Sequence, residues 1–225
     1  MVPMRLYHEV RGCSLAVDIV ARELGIPLDL IWVDVPRKLL PDGSNYYDVN
    51  PKGQVPALEL SNGEYLTEGA VIMQYLADQR PESGLCAAAG TLERYRIMEW
   101  MSFIASDLHK GGFMPLLKKV TPDNYRPIAR GLVVARLKWL NDHLADREYL
   151  TGSRFTIADA HCYTIVMWTE YQGIDVSPWP NLQAYLKRIG ARSSVIAAKE
   201  AERREAERLL QAVPAGTKSA NEIGQ

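Results

Sequence analysis

The stretch Asn50-Pro51-Lys52-Gly53-Gln54-Val55-Pro56-Ala57-Leu58, followed by a short hairpin and then Thr67-Glu68-Gly69, decides how this chain folds. Pro56 stands at the lip of a strand-like run and cannot donate a ladder hydrogen bond. An X-Pro bond at such a place is a candidate for the cis isomer, which turns the chain sharply. The N–H and C=O of Val55 are then expected to point outward, ready to pair with an extended peptide as an added strand does. Downstream, Thr67 is a good N-cap, and Gly69 in the first turn leaves helix N–H groups open to a carboxylate. Glu68 beside them can hold an ammonium. A strand edge, an anion hole and an acid together fit a small zwitterionic peptide.

Working outward from this stretch, residues 1–80 alternate strand-like and helical runs. Arg5 to His8 reads as a strand. Cys13 to Leu24 carries an apolar stripe at helical spacing and ends at Gly25. Leu28 to Val33, rich in branched residues, reads as a second strand. Pro36 to Asp48 is polar and predicts a loop with a short helix. Ala57 to Leu60 and Glu64 to Leu66 flank Ser61-Asn62-Gly63, whose Asn-Gly signals a hairpin, and a helix follows to Asp78. The order βαβ then ββα is that of a thioredoxin-like fold, with one parallel and one antiparallel connection.

Residues 81–90, with Pro81 and Gly84, read as a linker. Beyond it no run alternates as a strand does. Helical spacing recurs over Thr91 to Lys110, Pro127 to Asp146, Thr156 to Tyr171, Asn181 to Gly190 and Ser194 to Ala212, giving an all-α domain over 91–212. Thr156-Ile157-Ala158-Asp159 predicts a capping box, which makes Asp159 structural. Residues 213–225 are polar and read as a flexible tail.

Composition narrows the function. A formal net charge of -1 gives no electrostatic reason to expect nucleic acid or an anionic membrane as partner. No apolar run approaches the ~20 residues of a membrane span, and the start lacks a signal-peptide core. Three scattered cysteines argue against a disulfide framework and suit a reducing, cytoplasmic setting. The four histidines show no metal-ligand spacing, so no metal is expected.

Cys13 is the sharpest candidate for chemistry. Cys13 stands where the first strand hands over to the first helix, where the positive end of the helix stabilises a thiolate. A small residue at a tight turn is the plainer account of the same position. By position, Tyr7 on the first strand reads as a packing residue and Ser14 as the cap of the first helix. Lowering a thiol from pKa ~8.5 to ~6.5 raises its thiolate fraction at neutral pH about twenty-five-fold. Falling nucleophilicity removes roughly six- to tenfold of that gain, so positioning the two reactants must supply most of any acceleration. His109-Lys110 closes a long helix, either as a basic last turn that complements the dipole or as a functional pair.

Gly12-Cys13-Ser14-Leu15-Ala16 and Leu108-His109-Lys110-Gly111, together with Val55-Pro56 and Glu68-Gly69, resemble the glutathione S-transferase family and within it the bacterial beta class. The order of features from Met4 to about Leu210 agrees. The resemblance implies a thioredoxin-like domain joined to a helical one, glutathione as co-substrate, a small apolar electrophile as second substrate, and a homodimer. It implies that Val55, Pro56, Glu68, Gly69 and Lys38 hold glutathione, with Lys38 at its glycine carboxylate. It places Cys13 at the glutathione sulfur, with Tyr7 and Ser14 as rival partners because other classes of the family activate the thiol with a tyrosine or serine hydroxyl. It also places His109-Lys110 at the interdomain cleft, with Phe113 and Trp168 lining the electrophile pocket. Where relatives carry an asparagine that reaches the partner subunit, this chain has the shorter Ser102. The expected activity is conjugation of glutathione, with thiol-disulfide or peroxide reduction through Cys13 as a variant. The rival reading is a non-catalytic ligand-binding protein on the same scaffold.

Overall fold

A computed structural model describes residues 3–212. The expected tail at 213–225 lies outside the described residues. Among the described residues the chain forms two compact units. The first takes in the chain up to Gln79 and again from Ser193, and the second runs from Arg80 to Arg192.

The first unit holds β1 (Met4–His8), α1 (Leu15–Glu23), β2 (Leu28–Trp32), β3 (Ala57–Glu59), β4 (Tyr65–Thr67) and α2 (Gly69–Asp78). The strands lie in the order β2-β1-β3-β4, with β1 and β2 parallel and the other two pairings antiparallel. Register places Leu6 opposite Leu30 on one side and Leu58 on the other, and the next residue, Tyr7, opposite Ile31 and Ala57. Because side chains alternate along a strand, Leu6 and Leu58 share one face and Tyr7 and Ala57 the other. On the second face Tyr7 and Ala57 pack with Val33, Tyr46 and Val49 from the loop that crosses it.

Thr67 does not cap α2. It is the last residue of β4, and Glu68 occupies the N-cap with φ 71° and no side-chain capping bond. The hairpin runs one residue longer than its Asn-Gly signal implies, so the strand keeps the threonine.

The last helix, α9 (Ser193–Ala212), belongs to the first unit although the helical spacing groups it with 91–212. It packs along α1, with Val195 and Ala198 fully buried. Periodicity identifies a helix but not the surface that covers its apolar stripe.

The second unit is helical: α3 (Leu92–Phe103), a π-helical segment (Ile104–Phe113), α4 (Met114–Leu117), α5 (Arg126–His143), α6 (Ile157–Val166), α7 (Trp168–Tyr171) and α8 (Pro180–Gly190). The segment read as a linker is packed here: Leu85 and Cys86 are buried, and the Leu85 carbonyl accepts the Ile157 amide at 3.0 Å. All ten residues of α6 are buried, which makes it the unit's central helix. Its start is the expected capping box. Asp159 accepts from the amides of Leu150 (2.9 Å) and Thr156 (2.8 Å) and from the hydroxyls of Thr156 (2.9 Å) and Tyr185 (3.0 Å).

The segment around His109 departs from a simple helix end. The chain does not loosen at Gly111-Gly112 but winds on as a π-helix, with the Met114 amide reaching back to the His109 carbonyl. A Cβ at Gly112 would lie 2.9 Å from the Asp107 carbonyl and 3.1 Å from Val133 Cγ2. Glycine is needed there so that the widened turn can press against α5. Such wide turns recur at functional sites.

Candidate functional site

Within the first unit, two loops bring the candidate residues together. One is the turn from Glu9 to Ser14, which joins β1 to α1. The Gly12 amide donates to the Glu9 carbonyl at 3.1 Å, and Ser14 Oγ lies 3.3 Å from both the amide and the carbonyl of Glu9. Ser14 is thus the N-cap residue by position, but its hydroxyl braces the turn and makes no capping bond. Cys13 stands between them, half-buried.

The other loop is residues 50–56. Asn50 Nδ2 (2.6 Å) and the Tyr46 hydroxyl (2.8 Å) both donate to the Gln54 carbonyl, and Asn50 Oδ1 accepts the Lys52 amide at 3.1 Å. These bonds fix the approach to Val55-Pro56, whose peptide bond is cis. The Val55 carbonyl accepts from Cys13 Sγ at 3.5 Å. The Val55 amide has no acceptor among the described residues. The structure therefore puts the candidate thiol beside a backbone donor with no acceptor among the described residues, just before β3.

Lys38 and Glu68 flank this centre, and both have left-handed backbone, φ 60° and 71°. Non-glycine residues in that region are uncommon and cluster at binding sites. Lys38 Nζ donates to the Gly53 carbonyl at 2.6 Å, so the ammonium lies on the loop that presents Val55. Glu68 pairs with Lys52, whose Nζ also donates to Thr67 Oγ1 at 2.9 Å. The Glu68 side chain remains mostly exposed, and a second ammonium can reach it. Gly69, at the first position of α2, packs beside Pro56, where a Cβ would meet Pro56 Cγ at 3.4 Å.

Tyr7 is directed elsewhere. Its hydroxyl donates to Glu59 Oε2 at 2.8 Å, and burial together with that carboxylate raises its pKa. A phenol so engaged is a poor donor to a second thiol.

Three contributors escaped the sequence reading. Asn50 and Tyr46 hold the loop, and an Asn-Pro turn signal was the only hint of the first. Glu9 is the third: burial pushes its carboxyl up to about 7, with Lys38 drawing it down and Asp34 pushing it up. Nothing in a sequence marks a carboxyl for burial.

His109 and Lys110 lie in the second unit, on the π-helical segment. His109 is buried, its ring 5.0 Å from that of Trp168, which in turn meets Phe113 edge-on at 6.0 Å. The aromatic trio is thus brought together, closely packed within the unit. Burial, with Lys110 and His161 nearby, drops the His109 imidazole to about 3, so at neutral pH it is uncharged. Lys110 is exposed. Among the described residues no group of three His, Cys, Asp or Glu side chains is placed to hold a metal.

Comparison with known proteins now decides the family. The description "Glutathione S-transferase, N-terminal domain" matches residues 12–79, and "Glutathione S-transferase, C-terminal domain" matches 104–193. The chain belongs to the glutathione S-transferase family. It is 41% identical to the glutathione S-transferase GstA of Escherichia coli O157:H7 over 88% of this chain and 98% of that one. A solved sphingomonad glutathione S-transferase complexed with glutathione is 40% identical, with a TM-score of 0.85 over 88% of this chain and 98% of that one. The beta-class glutathione S-transferase of Sphingomonas chungbukensis is 41% identical, with TM-score 0.85 and the same coverage. Both solved relatives cover the thioredoxin-like and the helical unit of this family member, in agreement with the fold expected from its sequence.

Proposed function

We propose that this protein conjugates the thiolate of glutathione to small apolar electrophiles. The observation that carries this reading is the Cys13 thiol at 3.5 Å from the Val55 carbonyl, beside a Val55 amide with no internal acceptor. Glutathione pairs with the Val55 backbone as a short antiparallel strand. Its ammonium goes to Glu68, a carboxylate to the first amides of α2 at Gly69, and its glycine end toward Lys38. Its sulfur then lies against Cys13, and the new carbon–sulfur bond forms as the electrophile's leaving group departs or its double bond takes up a proton. His109, uncharged at neutral pH, is suited to hydrogen bonding and not to ion pairing.

The same arrangement supports reduction of mixed disulfides. The Cys13 thiolate attacks the glutathione sulfur of a mixed disulfide and expels the other thiolate. A second glutathione then releases Cys13 as glutathione disulfide forms. Cys86 and Cys162 are buried, so neither is placed to act as a resolving cysteine.

We place the active protein in the cytoplasm as a homodimer. Among the described residues no helix is long and apolar enough to cross a membrane. Leu92 and Tyr95 on α3 and Ile128 on α5 are each more than half exposed, which is apolar area that a second copy would cover.

Isothermal titration of glutathione tests the site. We expect micromolar to low-millimolar affinity, weakened about ten- to a hundredfold by Glu68→Gln, the usual size of a lost charged hydrogen bond. Absence of binding at protein concentrations sufficient to detect millimolar affinity, repeated at a second temperature, overturns the reading.

A further inference from the structure

Arg11 adopts a left-handed backbone with φ 61° in the turn that carries Cys13. Only glycine takes this conformation without steric cost, and a larger residue persists there when its surroundings hold it. One such hold comes from 191 residues further along the chain: the Arg11 amide donates to Glu202 Oε1, on α9, at 2.7 Å. Burial pushes the Glu202 carboxyl up to about 7, while this short bond draws it down.

The surroundings are built for it. Glu202 lines a small cavity with Leu6 and His8 of β1, Ser14 at the end of the turn and Asp18 of α1. Ser14 is the residue that braces Glu9 at the other end of the same turn. Buried Ala198, one turn before Glu202, fixes α9 against this region, while Ser194 ties the helix to Glu23 at the far end of α1.

We propose that Glu202 is a positioning residue for the Cys13 turn: by holding the Arg11 amide it keeps the thiol at the start of α1, where helix amides favour the thiolate. The consequence for catalysis rests on the reading of Cys13 as the residue at the glutathione sulfur. The clamp itself is independent of it. α9 is thus part of the site's second layer although it comes last in the chain.

The test is the rate of Cys13 alkylation by iodoacetamide at neutral pH, with the modified peptide identified by mass and Cys86 and Cys162 shielded by burial. Glu202→Ala should slow it about two- to fourfold, the net gain left to an activated thiol. Glu202→Gln keeps an acceptor oxygen and should restore most of the rate. Arg11→Gly removes the steric cost of the left-handed turn and should restore much of it in the Glu202→Ala background. Ser194→Ala loosens α9 at its other end and should lower the melting temperature without slowing Cys13. Where Glu202→Ala does not fold, Glu202→Asp, one methylene short of Arg11, takes its place with the same expected loss.

Alkylation as fast as wild type in Glu202→Ala overturns the proposal. So does equal slowing in Ser194→Ala, or Glu202→Gln no faster than Glu202→Ala. Glutathione-dependent disulfide reduction measured in parallel separates the two readings. Slowed alkylation with unchanged disulfide reduction upholds the clamp and overturns the placement of Cys13 at the glutathione sulfur.

Discussion

Cys13 donates to the Val55 carbonyl, so ionising the thiol removes this bond and leaves the thiolate to the turn and the amides at the start of α1. That trade limits how much Cys13 alone contributes. Substitution of Cys13 by Ala is expected to change conjugation only a few-fold, the net gain left when lower basicity offsets a larger thiolate fraction. Disulfide reduction should be lost outright, since it needs a covalent sulfur. Assaying both reactions on the one variant checks this. His109 gives a second expectation. Its pKa is depressed to about 3 from an ordinary ~6.5, so its ring-proton resonances should not titrate between pH 5 and 8. The sign for stability follows. The unfolded chain takes up the His109 proton below about pH 6.5 while the folded one does not, so this contribution is complete above that pH and is lost progressively as pH falls toward 3. His109→Phe should flatten the acid limb of a urea-denaturation series measured from pH 7 to 4. At this scale the sequence revealed which residue types stand where. It did not reveal that the Tyr7 hydroxyl is taken by Glu59, because strand pairing from β3 brings that carboxylate over.

The π-helical segment and α6 set the character of the second unit. α6 starts from a capping box whose acid serves four donors, all buried. Asp159→Ala leaves two amides and two hydroxyls without their acceptor, and we expect a loss of roughly 3–5 kcal/mol in urea denaturation, the range for breaking one side of a buried charged network. Loss below about 1 kcal/mol would mean that water replaces the carboxylate. The box was legible because Thr-x-x-Asp is a local pattern with a local mechanism. The π-helical winding was not. It goes with Val133 of α5 lying 3.1 Å from where a Cβ of Gly112 would be, and a residue that far along the chain leaves no mark on the sequence around Gly112. The hairpin shows the same division on a smaller scale. Asn62-Gly63 predicted the turn, whereas β3–β4 pairing decided that Thr67 is strand and Glu68 the cap.

For the molecule as a whole, exposed apolar side chains on α3 and α5 carry the expectation of self-association. Sedimentation at micromolar concentration should give twice the 25.2 kDa of one chain. Ile128→Asp with Leu132→Asp, two exposed positions one turn apart on α5, should shift the species toward monomer with the helical content unchanged. A dimer indifferent to both changes would place its interface on another face. The thioredoxin-like order of elements, the parallel and antiparallel connections, the helical second unit and the Val55–Pro56 turn were all determined by the sequence itself. Each follows from spacing or turn chemistry within about a dozen residues, where the chain's own sterics decide. Only the tertiary structure decided that α9 joins the first unit, that Lys52 meets Glu68, that Asn50 and Tyr46 hold the loop before Val55, and that Glu202 reaches Arg11. Those contacts join residues far apart in sequence. They exist because burying an apolar stripe brings with it whatever polar groups lie beside the stripe, and no local pattern encodes which groups those are.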